Sequence, residues 1–354
     1  MKKTSKIMSL VLAGAMVLSM TACAGNTAVY TSAAAKTQET AADTASKAEE
    51  TTGAEASESE TAAKAEGTTY KIGVLQLVQH TALDAANDGF IAALDDAGIA
   101  YEVDQQNASG DQSACQTVAS KFANEKKDLI LAIATPAAQA MVGAVEDTPV
   151  LITAVTDPAE SGLVDTNEKP GANVTGTSDL TPVKEQIDLL KQLVPEAKTV
   201  GVLYCSAESN SKIQADMAKE AIAAAGMESK EYTVSSSNEI QTVVQSMVGA
   251  VDAVYAPTDN VIAAGMATVG MVAGDNNLPV ICGEAGMVQN GGLATYGIDY
   301  YQLGYMTGQQ AVKILTEGAS PADMPIEYLP AEKCELTVNE ETAQTLGIDV
   351  SGLK

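Results

Sequence analysis

From residue 70 onward, the apolar positions of the chain switch repeatedly between two periods. Lys71-Ile72-Gly73-Val74-Leu75-Gln76-Leu77 is an almost continuous apolar run of strand length. Leu83, Ala86, Phe90, Leu94 and Ala97 then recur at helical spacing, and Gly98 closes that helix. The same reading predicts strands over 100–103, 128–134 and 149–154, with helices over 112–124 and 137–145 between them. Nearly unbroken apolar strands alternating with helices predict a parallel sheet covered on both faces.

The pattern then begins afresh. A helix is predicted over 182–193, and Thr199-Val200-Gly201-Val202-Leu203-Tyr204 repeats the character of the first strand. A helix over 210–225 carries Ile213, Met217, Ala221 and Ala224 on one side and stops at Gly226. Strands over 231–234, 253–256 and 279–282 follow, with helices over 239–247 and 261–274 between them. The predicted fold class is α/β, with two doubly wound parallel-sheet lobes joined by a multi-segment hinge and a cleft at their strand ends. Residues 293–297 and a helix over 300–315 lead back toward the first lobe. The expected division is 70–178 with 298–324 in lobe 1, and 179–297 with 325–354 in lobe 2.

The preceding residues have a different character. Lys2, Lys3 and Lys6 precede an apolar run over 7–20, and Met20-Thr21-Ala22-Cys23 ends it. A basic start, a short apolar stretch and small residues before a cut describe a secretory signal over 1–22. The run is too short for a permanent membrane span. Cys23 at the cut resembles a bacterial lipobox, whose cysteine becomes the lipidated N-terminus; the alternative is a plain export signal with an incidental cysteine. Residues 23–69 are rich in Ala, Thr, Ser, Glu and Lys, so they bury too little surface to offset their ordering entropy. They read as a leash that holds a monomeric head away from the membrane.

Charge narrows the chemistry. The net charge is −26, and all 20 basic residues are lysines. A nucleic-acid backbone needs a basic stripe, so that class of partner is excluded. Without arginine, a bound carboxylate must rest on hydroxyls, backbone N–H groups or lysine rather than on a guanidinium fork. Cys115, Cys205, Cys282 and Cys334 match no metal or redox spacing and read as buried thiols, although Cys205 and Cys282 end apolar runs that could approach each other. His80 is the single histidine. It cannot build a usual zinc site or, without a nucleophile elbow, a hydrolytic triad. It reads as an exposed loop residue or a solute contact. No glycine-rich phosphate cradle follows the first strand, so no cofactor is expected.

Four stretches carry a family resemblance. Ile133-Ala134-Thr135-Pro136-Ala137-Ala138-Gln139, Ala154-Val155-Thr156-Asp157-Pro158, Asn173-Val174-Thr175-Gly176-Thr177-Ser178-Asp179, and Gly201-Val202-Leu203-Tyr204 followed by Asn210-Ser211 are similar to ABC transporter substrate-binding lipoproteins of the tryptophan/tyrosine-binding type. The resemblance runs in order from Tyr70 to Ser351. It implies a type I periplasmic-binding fold, a small amino-acid-like solute between the lobes, an ABC permease as partner and a membrane contact made only through the lipid.

The residues themselves suggest how such a solute would be held. Thr135 reads as a helix N-cap, and Pro136 as the first helical residue. With free N–H groups of Ala137 and Ala138, this end would suit a carboxylate, or serve only as a cap. Asp157, Asp259 with Asn260, and Asp299 follow strands and could receive an ammonium or cap the next helix. Glu284 reads as a flexible-loop candidate, and Glu208, Asn210 and Ser211 as residues that close over the solute. Three function classes fit these readings: a solute-binding component of an importer, a lipid-anchored solute sensor, and an extracellular hydrolase for which no nucleophile–base pair is visible.

Overall fold

The computed structural model describes residues 67–353; the signal, Cys23 and the leash up to residue 66 lie outside the described residues. Two six-stranded sheets organise the chain. The first contains β1 (Tyr70–Gln76), β2 (Tyr101–Asn107), β3 (Leu129–Ile133), β4 (Val150–Val155), β5 (Val174–Ser178) and β11 (Glu327–Tyr328), in the order β11-β5-β4-β3-β1-β2. All its pairings are parallel. The second contains β6 (Thr199–Cys205), β7 (Glu228–Val234), β8 (Ala253–Ala256), β9 (Val280–Cys282), β10 (Ala294–Gly297) and β12 (Glu335–Val338), in the order β12-β10-β9-β8-β6-β7. Its edge strand β12 runs antiparallel to β10, which corrects the expectation of a purely parallel second sheet.

Helices cover both sheets. On the first, α1 (Thr81–Asp96) packs against α10 (Tyr300–Glu317), and α2 (Gln112–Asn124) packs against α3 (Thr135–Val142). On the second, α4 (Val183–Leu193) packs on α5 (Ser209–Ala224), while α6 (Ile240–Met247) packs on α8 (Met266–Asp275). The predicted helix over 261–274 is in fact α7 (Asn260–Ala264) and α8, separated at Gly265. Two short helices went unpredicted, α9 (Ala285–Gln289) and α11 (Glu340–Leu346). Strand β2 runs on to Asn107 because its outer positions are only half-buried, so its polar residues hide the strand from an apolar-run reading.

Strand β5 shows a different route to burial. Its five residues are all buried, yet its sequence is Val-Thr-Gly-Thr-Ser. The hydroxyls bond within the core: Thr153 Oγ1 lies 3.0 Å from Thr177 Oγ1, which lies 2.8 Å from Thr307 Oγ1. Thr175 Oγ1 donates to Met324 O at 2.7 Å. Buried polar groups are tolerated when their bonds are made, and here they tie β4, β5 and α10 together.

The chain passes between the lobes after β5, after β10 and after β11. The third crossing falls later than expected, because Glu327 and Tyr328 pair with Thr177 and Ser178 in the first sheet. The second crossing depends on α10 docking on α1, where the two backbones nearly touch. A Cβ on Gly304 would overlap the Ala86 carbonyl, and one on Gly89 would overlap the Tyr301 carbonyl. Since these neighbours are backbone, they cannot swing aside as a side chain would. Gly304→Ala should therefore destabilise the head by at least about 1–3 kcal/mol, as other overpacked cores do. Urea denaturation of the wild type and the variant measures this, with Gly98→Ala unsuitable as a control because its φ is +66°.

Candidate functional site

Parallel sheets bring the C-terminal ends of their strands to one edge, and the two lobes face each other across those edges. The cleft between them is narrow and nearly filled by the side chains that line it, and part of it is open to solvent. The first lobe contributes His80 after β1, together with Leu83 and Ala154. The second contributes Asn210, Thr258, Asp259, Asn260, Ala263 and Glu284. Asp179 and Tyr300, from the first two crossings, complete the lining.

The lobes are bridged directly. His80 Nε2 lies 3.3 Å from Asn260 Oδ1. Gln214 Nε2 donates to Thr156 Oγ1 at 2.9 Å and also reaches Thr258 Oγ1. Gln112 donates to Ala207 O at 3.1 Å, and Gln139 to Ser209 Oγ at 3.3 Å. These bonds join the two lobes in a closed arrangement.

Several predicted residues take positions other than those the sequence suggested. Ala134, not Thr135, is the N-cap of α3, with φ at +82°. Thr135 is the first helical residue, and its buried hydroxyl has no partner. The Ala138 N–H is already bonded to Ala134 O at 3.0 Å, so it is not free. Ala137 is buried, and none of Thr135, Ala137 and Ala138 lines the cleft. Asp157 organises its own turn, accepting from Ala159 N, Glu160 N and Asn167 Nδ2 at 3.0–3.1 Å. Asp299 caps α10 through Gln302 N at 3.1 Å. Both are short-range acceptors and stand outside the cleft lining.

Glu284 is no flexible-loop residue. It is buried and caps α9, accepting from Met287 N at 2.8 Å and from Gly286 N. Asp259 caps α7 through Ile262 N at 2.8 Å and also accepts from Cys205 N, so it braces two strand ends. Glu208 lies behind the cleft wall and accepts from Asn260 Nδ2 at 2.6 Å and Asn210 Nδ2 at 3.1 Å. Ser211 is fully buried beside them, and its hydroxyl meets Asn210 Nδ2 at 3.2 Å.

Asp179, Tyr300 and Ala154 escaped the sequence reading as site residues. Tyr300 OH donates to Asp179 Oδ2 at 2.7 Å. Asp179 was legible only as the polar residue ending a threonine-rich strand, and Tyr300 only as the residue after an acidic cap. Ala154 has φ at +54°, beside a register shift between β4 and β5. Strain of this kind in a non-glycine residue gathers where the surrounding fold holds it for a purpose.

The cleft is acidic, and among the described residues its lining includes no lysine. Burial is the main cause of each titration shift. It pushes Asp179 up to about 6 and Glu284 up to about 7. Burial raises Glu208 and Asp259 as well, with the charge of Asp259 adding to the effect on Glu208. Burial lowers His80, against the opposing pull of Asn260 and Asp84, so the imidazole is neutral at pH 7. Cys205 and Cys282 end β6 and β9 as free, buried thiols; Cys115 is likewise buried, whereas Cys334 is only half-buried.

Comparison with known proteins places this geometry. The tyrosine-binding protein of Clostridioides difficile (strain R20291) is 45% identical over 279 residues, covering 78% of this chain and 80% of that protein. The structure of an ABC domain in complex with L-Trp from Streptococcus pneumonia is 39% identical, covers 80% of this chain and 97% of that one, and superposes with a TM-score of 0.78. A ligand-free, open substrate binding protein with adhesive properties from Clostridium difficile is 46% identical and covers 81% and 97% of the two chains, yet its TM-score is 0.62. Identity would rank these two structures the other way. By TM-score the present structure is nearer to the L-Trp complex than to the ligand-free, open form. A family model described as ABC transporter substrate binding protein matches residues 71–352, and the chain belongs to that family.

Proposed function

We propose that the head captures an aromatic amino acid in its interlobe cleft and delivers it to a membrane permease, outside the cytoplasm. The observation that carries this reading is the cleft itself: acidic and roofed by both lobes, in a chain similar to proteins whose names specify tyrosine and L-Trp. The acidic lining suits an ammonium group, and the role is that of a carrier rather than an enzyme. Lobe opening and closing about the three crossings would admit and release the solute, as in other hinge-closing binders.

Calorimetric titration of the head with L-tyrosine, L-tryptophan and L-phenylalanine tests the reading. Saturable one-site binding of at least one is expected, with small-angle scattering showing the loaded head in the compact form. No binding of any aromatic amino acid would refute the assignment.

The anchor is part of the same proposal. Cys23 would carry the lipid that keeps the head at the outer side of the membrane, with residues 24–69 as the leash. Cys23→Ser should release the head to the medium or leave uncleaved precursor. Membrane-bound, lipid-labelled variant protein would show that the anchor lies elsewhere.

Buried acids without a cation also make the empty head sensitive to pH. Asp179 and Glu284 titrate above the ordinary carboxylate range, so the folded state holds their protons more tightly than the unfolded chain. That contribution to stability is complete below the unfolded values and is lost as pH rises through about 6 to about 7. The thermal midpoint of the ligand-free head should fall between about pH 5 and pH 8. Glu284→Gln, whose single carbonyl oxygen keeps one of the two α9 cap bonds, should flatten the fall. Equal slopes would instead assign the loss to general repulsion in a chain of net charge −26.

A further inference from the structure

Asp179 stands out among the carboxylates at the cleft. It is only 5% exposed, its Oδ2 accepts the Tyr300 hydroxyl at 2.7 Å, and its Oδ1 makes no hydrogen bond of good geometry, with the Thr156 hydroxyl as its nearby neutral donor. Both residues line the cleft, and Glu284 lines it from the second lobe. The other acids are committed differently. Asp259 accepts from Cys205 N and Ile262 N, while Glu208 is held by Asn210 and Asn260 and does not reach the lining.

A buried carboxylate oxygen without a donor is costly to maintain. No lysine lines this cleft to supply one, and the imidazole of His80 is bridged to Asn260. Within the protein, besides Tyr300, only the Thr156 hydroxyl stands near enough to serve Asp179, and it carries no charge to match the carboxylate. We propose that Asp179, oriented by Tyr300, receives the ammonium group of the solute, with Glu284 as a second acceptor from the opposite lobe. This assignment deepens the amino-acid reading above and rests on it. A primary ammonium fits because it carries three donors and a full positive charge, enough to serve two carboxylates at once. Burial holds Asp179 near the point of neutralisation when the cleft is empty, so an arriving cation also fixes its ionised form.

The position of the pair adds a mechanical consequence. Asp179 lies on the first crossing between the lobes and Tyr300 just after the second. Residues at a hinge move least when lobes rotate. The ammonium receptor is therefore formed at the floor of the cleft before closure, and Glu284 is brought to it by closure.

The test compares each aromatic amino acid with its des-amino acid, which keeps the ring and the carboxylate but lacks the ammonium. L-tyrosine, L-tryptophan, L-phenylalanine and the three des-amino acids are titrated into the wild-type head, then into Asp179→Asn and Tyr300→Phe. For the wild type, the amino acid should bind far more tightly than its des-amino partner. Asp179→Asn preserves an acceptor for Tyr300 but removes the charge. It should weaken the amino acid at least about 30-fold, the lower end for an unpaired buried charge, and change the des-amino acid by less than about threefold. Tyr300→Phe should narrow the same gap by a smaller factor, and it carries the comparison if the asparagine variant does not fold. Unchanged amino-acid affinity in either folded variant overturns the proposal, as does an equal loss for both ligand types. Wild-type binding of the des-amino acids as tightly as their parents overturns it alone, leaving the amino-acid reading in place. Binding of no ligand overturns both.

Discussion

The near contact of α1 and α10 is the constraint on which the two-lobe arrangement depends. Helix α10 follows the last parallel strand of the second sheet, yet it packs on the first, held there by glycines that let backbone meet backbone. That docking turns a simple tandem of two α/β units into lobes tied by repeated crossings. It also delivers Tyr300, the first residue of α10, to the floor of the cleft. A tandem joined only after β5 would have one covalent connection and no reason to face its strand ends together. Here the chain crosses three times, and Asp179 and Tyr300 lie at the first two crossings.

The electrostatics of the cleft follow from composition and burial together. A chain without arginine places carboxylates around an interlobe space whose lining includes no lysine among the described residues. Most of these carboxylates serve the fold first: Asp259 and Glu284 each cap a short helix, and Asp299 caps a long one. The caps satisfy orphan N–H groups and fix the side chains that wall the cleft. Asp179 alone among the cleft-lining acids retains an unpartnered oxygen. The same burial raises the titration of Asp179 and Glu284, so the ligand-free cleft carries its acidity at a cost at neutral pH.

Much of the architecture was legible because parallel strands buried on both faces must be apolar. β1, β3, β4, β6 and β8 all stand out as runs of that kind. β5 did not, since its burial is satisfied by threonine hydroxyls bonded to β4 and α10, a partnership that exists only after folding. β11 and β12 were too short and too polar to mark, and their pairing decides where the third crossing falls. At the site, His80, Asn210, Asp259, Asn260 and Glu284 were named from their places after strands, and all line the cleft. Thr135, Ala137, Ala138, Asp157, Glu208, Ser211 and Asp299 were named by the same logic, and none does.

Position after a strand says that a polar residue is near the functional edge, but not what its side chain bonds. An aspartate that caps a helix and one that waits for a ligand have the same local sequence, because both follow an apolar run and precede a helix. The sequence by itself determined the alternating α/β order, the repeat into two units and the absence of any guanidinium. Those are properties of local pattern and composition. Only the tertiary structure decided which lobe α10 joins, where the last crossing lies and which carboxylate keeps a free oxygen. Those depend on contacts between residues more than a hundred positions apart, such as Tyr300 with Asp179, separated by 121.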